Sequence, residues 1–264
     1  MLNILITGAS SGIGKATKDY FLENGHKVYA IDINSIEKHD NLVSFICDIT
    51  SEKDLNSINH YLKENDIKLD AIINVAGIHK MASLVENDYN EIKKLIDINL
   101  LGTMLVNRVF YSSLTSNGRI LIVTSEVAPF DPLPFNGLYS ISKTGLDAYA
   151  QALRQELNLV GQKVVTIRPG AIETPLSNNS LSDTQKLANS TMLYKKQANS
   201  FLKIATKFMG KPIKPYKLAK LIYKATTIKR PKIIYSKHVN VGLMLLSILP
   251  KRMQCWIIKM MLNK

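Results

Sequence analysis

The short apolar run "LNILIT" (2–7) passes without a break into "TGASSGIG" (7–14), and an amphipathic pattern begins at once (12–24). A strand that ends in a glycine-rich loop and opens a helix allows few folds. Gly8, Gly12 and Gly14 let the backbone approach a ligand closely, and a helix N-terminus offers N–H donors and partial positive charge. Together with Ser10, Ser11 and Ile13, these residues are candidate contacts for a pyrophosphate.

The rest of the chain repeats the alternation. Runs at 27–32, 42–48, 69–76, 119–125 and 163–169 are short and apolar, as strands of a parallel sheet covered on both faces should be. Helical patterns fill 12–24, 52–65, 88–115 and 139–160. This order predicts an α/β fold: one doubly wound, Rossmann-type parallel sheet with right-handed crossovers and helices on both faces. Neither an internal repeat nor a low-complexity linker is visible, so one domain is expected over 1–264. It includes a polar segment with helical stretches at 175–215, placed where loops over a ligand belong. The second strand ends in Asp32, 18 residues after Gly14. A carboxylate there can accept bonds from ribose hydroxyls and would repel a 2′-phosphate, which favours NAD(H) over NADP(H).

Charge is unevenly spread. The chain carries 34 Lys and Arg against 21 Asp and Glu, yet the last acid is Asp183, and 18 of the cations follow it. Such a block suits an anionic surface or is simply a solvated face. It contains no nucleic-acid motif or aromatic platform, so no nucleic-acid partner is expected. The two cysteines, Cys47 and Cys255, have no metal-type spacing, and no metal site is expected. The start resembles no signal peptide and no apolar run reaches 18 residues, so a cytoplasmic protein is expected.

In "VTSEVAPFDPLPFNGLYSISK" (123–143), Tyr139 and Lys143 are four apart and would share a helix face. An ammonium beside a phenol favours phenolate and lowers its pKa. With these residues the chain resembles the short-chain dehydrogenase/reductase family over roughly 1–175. The ordered matches are "TGASSGIG", "CDIT" (47–50), "NVAG" (74–77), Asn99 in "INLLGT", Ser125, "YSISK" (139–143) and "RPGAIET" (168–174). The resemblance implies a nicotinamide cofactor and reversible alcohol–ketone chemistry. Tyr139 would be the acid/base, and Lys143 would also bind the nicotinamide ribose. Asn99 would support a proton relay. Asp48 and Ile49 would lie near adenine, with Asn74, Ala76 and Gly77 along the cofactor. Pro169, Gly170, Ile172 and Thr174 would lie toward its carboxamide.

One departure stands out. In most relatives the catalytic Ser lies 13 residues before the Tyr, and that position here is Glu126, with Ser125 at 14. An ionised carboxylate donates no hydrogen bond, so Ser125 is expected to hold the substrate oxygen, with Glu126 turned aside.

The expected substrate is an apolar, lipid-like or steroidal alcohol or ketone, placing the protein in lipid metabolism among hydroxysteroid-dehydrogenase-like enzymes. Val127, Ala128, Phe130, Leu133 and Phe135 would line the pocket, and Met192, Leu193, Phe201, Leu202 and Phe208 would close over it. Two alternatives stand beside this reading: a 3-oxoacyl (carrier protein) reductase-like enzyme and a non-catalytic dinucleotide-binding protein. The long helices imply a homodimer or homotetramer, as relatives commonly form. The tail 235–264 would lie on a membrane, roof the pocket or pack within the oligomer.

Overall fold

The computed structural model describes residues 1–208 and 212–264, without the side chains of 177–181 and 205–208. Seven parallel strands form one sheet in the order β3-β2-β1-β4-β5-β6-β7. They are β1 (Asn3–Thr7), β2 (Lys27–Asp32), β3 (Leu42–Ile46), β4 (Leu69–Asn74), β5 (Leu114–Val123), β6 (Lys163–Pro169) and β7 (Ile234–Lys237). The chain winds outward from β1 through β2 to β3, then restarts at β4 on the other side of β1 and winds out to β7. The crevice between the two directions lies at the C-terminal strand ends, where open α/β sheets bind ligands.

Successive residues of a strand face opposite sides, so each strand feeds two cores. Leu5, Tyr29, Ile31, Ile72, Ile120, Ile122 and Val164 meet one helical layer, formed by α2 (Glu52–Glu64), α4 (Thr103–Phe110) and α5 (Gly137–Asn158). Ile4, Ile6, Val28, Ala30, Ile73, Leu121 and Ile167 meet the other, formed by α1 (Gly12–Glu23) and α8 (Pro215–Thr227). That two-sided demand explains why the strands read as continuous apolar runs. Each fully buried Leu, Ile or Phe contributes roughly 1.5–3 kcal/mol.

Two boundaries differ from expectation. The helix expected over 88–115 is α3 (Tyr89–Ile96), a π-helical stretch (Asp97–Gly102), α4 and a 3₁₀ turn (Tyr111–Ser113). β5 therefore starts at Leu114, earlier than the run at 119 suggested. The polar segment carries the helical stretches expected of it, α6 (Pro175–Ser190) and α7 (Lys195–Phe208), ahead of α8. β7 was not anticipated. It is short and half-exposed, so it lacks the apolar run that marks its neighbours. After it come α9 (Val241–Ile248) and α10 (Lys251–Leu262).

A third, smaller cluster joins Met81, Phe135, Leu187, Ala188, Ala198 and Leu262, with Tyr194, Phe201 and Ile258 packed against it. Phe135 and Phe201 are thus structural rather than pocket-closing, and their rings meet edge to face at 5.6 Å. Met192 and Leu193 are exposed and close over nothing. Phe208's side chain lies outside the described residues.

Candidate active site

Every strand from β1 to β6 ends at one cleft of about 880 Å³, and the segment following β7 closes its far side. The β1–α1 loop forms one wall. An alanine Cβ at Gly14 would lie 1.9 Å from the Gly8 carbonyl oxygen, so only glycine lets the loop fold back on the helix start. Ser11 stands at the N-cap without a side-chain bond, and the first turn of α1 carries no acid. Its leading N–H groups and the helix dipole are left for an anion.

Asp32, at the end of β2, is buried and lines the same cleft. One carboxylate oxygen accepts from Ser10 N at 2.9 Å, and the other accepts from Asn34 N at 3.0 Å. Asn34 Nδ2 also donates to the second oxygen at 3.3 Å, so of a carboxylate's roughly four acceptor sites one remains for a ribose hydroxyl. Asp48, Ile49, Ala76, Gly77, Pro169, Gly170, Ile172 and Thr174 complete this region. The cleft's volume, the helix N-terminus without a side-chain cap and the carboxylate fit a nicotinamide dinucleotide.

Ser125, Tyr139 and Lys143 stand at the other end. Ser125 Oγ accepts from Val127 N at 3.3 Å, and its hydroxyl faces the Tyr139 phenol closely enough to lower the phenol's pKa. Lys143 Nζ lies 5.8 Å from the Tyr139 ring centroid and donates to Val123 O at 3.3 Å. Burial pushes the phenol up to about 12, against the lowering influence of Ser125, with Glu126 adding to the rise. Burial also brings Lys143 down to about 8. The expected depression of Tyr139 is therefore reversed here: loss of hydration on burial outweighs the lowering by Ser125. Behind α5, Arg168 of β6 clamps Asp147 through two bonds, Nε at 2.9 Å and Nη2 at 2.5 Å. This fixes the helix that carries the Tyr–Lys pair.

Two expected residues do not line the cleft. Asn74 turns inward, donating to Asn107 Oδ1 at 2.8 Å and Leu121 O at 3.3 Å, so it ties β4 to α4 and β5. Asn99 is fully buried in the π-helical stretch. It accepts from Ile78 N at 2.7 Å and donates to Ile78 O at 2.9 Å and Ser142 Oγ at 3.1 Å. Its amide therefore holds the loop beside Lys143. A widened helical turn lets a polar side chain reach sideways in this manner.

Glu126 turns away from Tyr139 to accept from Asn240 N at 2.5 Å, and burial raises its pKa despite that bond and nearby His238. The extra residue between Ser and Tyr thus anchors the segment after β7. His238, Val239, Asn240, Val241 and Gly242 roof the cleft. The His238 carbonyl packs so tightly that a Cβ at Gly170 would lie 1.8 Å from it. Of the three placements expected for the tail 235–264, its first segment thus takes the one over the pocket.

His79 was missed as well. Its ring meets Tyr139 edge-on at 4.5 Å, Nε2 pairs with Asn136 Oδ1 at 3.0 Å, and Nδ1 is buried without a partner. Of the apolar residues expected at 127–136, Val127 lines the cleft, whereas Ala128 and Phe135 are buried in packing.

Comparison with known proteins agrees with this geometry. The short chain dehydrogenase family model matches residues 2–185. A 3-ketodihydrosphingosine reductase of Bacteroides thetaiotaomicron is 28% identical over 233 residues, covering 86% of this chain and 84% of that protein. A Burkholderia cenocepacia short chain dehydrogenase solved with NADP superposes with a TM-score of 0.74 at 20% identity, covering 97% and 96% of the two chains. A Brucella melitensis 3-ketoacyl-(acyl-carrier-protein) reductase solved with NADH gives 0.71 at 23% identity, covering 90% and 98%. With its family model spanning most of the sequence and its glycine loop and Ser–Tyr–Lys side chains facing one cleft, this chain belongs to the short-chain dehydrogenase family of oxidoreductases.

Proposed function

We propose that the protein is an NAD(H)-dependent oxidoreductase that interconverts a secondary alcohol and a ketone on an apolar, lipid-like substrate. The observation that carries this reading is the meeting of Ser125, Tyr139 and Lys143 at one end of a cleft whose other end is the glycine loop and Asp32. The bound dinucleotide supplies or accepts the hydride. Ser125 Oγ donates to the substrate oxygen, where negative charge grows during reduction. Tyr139 delivers its proton to that oxygen, and Lys143 holds the ribose and a positive charge nearby. Asn99, acting through Ile78 and Ser142, keeps this wall in place and supports the proton relay. Ile78, Val127, Leu176, Val239 and Val241 give the substrate end its apolar character.

A long-chain ketone is the favoured substrate, and the name of the Bacteroides relative supports that class over the steroidal one. The chain works as one domain in a cell's reducing interior, and its α4 and α5 helices pair subunits. A light-scattering mass of two or four chains is expected, and a mass near the 29.6 kDa of one chain would refute the pairing.

Asp32 sets the cofactor preference. Lys15, a cation of the adjoining helix that could soften it, is tied to Asp19 at 2.7 Å. The unmodified protein should show higher kcat/KM with NADH than with NADPH across a panel of apolar ketones. Asp32→Ala should narrow that ratio by about 10-fold or more, the worth of one charge-assisted bond and one repulsion. Better turnover of NADPH by the unmodified protein would overturn the assignment.

A further inference from the structure

The C-terminal arm has two faces with different fates. On α10, Gln254 and Leu262 are buried, Ile258 packs on the third cluster, and Lys251 pairs with Asp131 of the 127–136 loop. This side fastens the arm to its own subunit. The other side is not covered by any of the described residues. α9 is almost wholly apolar, yet none of its residues is buried. Val241, Met244, Leu245 and Ile248 repeat at the spacing of one helical stripe, and they are 61%, 44%, 58% and 73% exposed. On α10, Trp256 is 63% exposed and Met260 stands one turn further along.

Three features say what this surface meets. The stripe starts at the cleft, because Val241 is both its first residue and part of the cleft wall. Exposed cations accompany it, with Arg252 and Lys259 on α10, and no acid occurs after Asp183. No described helix is long and apolar enough to cross a membrane, so the arm can lie on a bilayer but not span one. A Trp, an apolar stripe and interleaved cations are the composition of an interfacial helix on anionic lipid. A second copy of the chain fits poorly, since joining two such arms sets cations against cations with no acid between them.

We propose that α9 and α10 dock on an anionic lipid surface and place the mouth of the cleft against it, so that substrate enters from the bilayer. The use for substrate rests on the apolar-substrate reading above, while docking itself does not.

The test is sedimentation of the full chain with phosphatidylcholine vesicles, with and without phosphatidylserine, at low and high salt and without substrate. The comparison protein carries Leu245→Glu, Ile248→Glu and Trp256→Glu, three exposed positions outside the cleft. Its fold is checked by thermal melting and NADH binding. The unmodified protein should pellet with phosphatidylserine vesicles at low salt, and high salt should release it. The triple variant should bind at least about 10-fold more weakly. Equal recovery of the unmodified protein in the supernatant under all conditions would overturn the proposal. So would equal pelleting of both proteins, or a loss of oligomer mass in the variant without vesicle binding, which would make the stripe a subunit interface. Vesicle binding by a protein that reduces no apolar ketone would uphold docking and overturn only its use for substrate.

Discussion

Tyr139→Phe should lower kcat for ketone reduction by about 10²- to 10⁴-fold, the usual worth of a positioned general acid, with NADH affinity nearly unchanged. The ring keeps its place against His79 and only the hydroxyl is lost. The pH profile adds a second, independent reading. A phenol pushed up to about 12 stays protonated throughout the neutral range, so it does not limit reduction there. Lys143, brought down to about 8, does titrate within reach. Reduction should therefore hold level below about pH 8 and decline above it as the ammonium is lost. Alcohol oxidation, which begins by removing a proton, should improve as pH rises. Lys143→Met should abolish the decline in reduction. Steady-state rates from pH 6 to 10 in both directions decide this, and a reduction profile that rises through pH 8 would contradict it.

Ser125→Ala should cost about 10²- to 10³-fold in kcat, as removal of one oxyanion donor does. Glu126→Gln should cost little, because an amide oxygen can still accept from Asn240 N. Glu126→Ala removes the acceptor, frees the roof segment and should raise KM for substrate more than it lowers kcat. Stability gives a separate sign. Burial raises the Glu126 pKa, so the contribution it makes when protonated is present below the ordinary carboxyl range and is lost as pH rises through its raised value. Glu126→Gln should therefore melt relatively higher than the unmodified protein at neutral and alkaline pH. If Glu126→Gln lost activity and Ser125→Ala kept it, the roles of the two residues would be exchanged.

Much of this fold could be read from the residues, for a physical reason. Strands buried on both faces show as uninterrupted apolar runs, and β1, β2, β4, β6 and most of β5 are of that kind. β7 is half-exposed and four residues long, which leaves little for a pattern to hold. The helix expected over 88–115 carried the right periodicity, but the π-helical widening around Asn99 comes from its side-chain bonds to Ile78 and Ser142, contacts far apart in sequence. The glycine loop, Asp32 and the Tyr–Lys pair were legible because each is a local arrangement with its own spacing. Asn74 was misplaced because a polar residue at a strand end can face either the cleft or the core, and Asn107 decides for the core. A roof from the tail was one of three placements open in the sequence, and its choice depends on β7 bringing the tail back beside β6. The reversed shift of Tyr139 depends on burial, a property of the folded molecule alone.

The decisive measurement is isotope transfer. The protein is incubated with an apolar long-chain ketone and NADH carrying deuterium at the reactive ring carbon, and the product is read by mass spectrometry and chiral separation. The proposed function predicts deuterium on the carbinol carbon of one enantiomer, with transfer lost in Tyr139→Phe. NADH that binds in the cleft yet delivers no deuterium to any ketone of the panel would contradict it and leave a protein that binds the dinucleotide without using it.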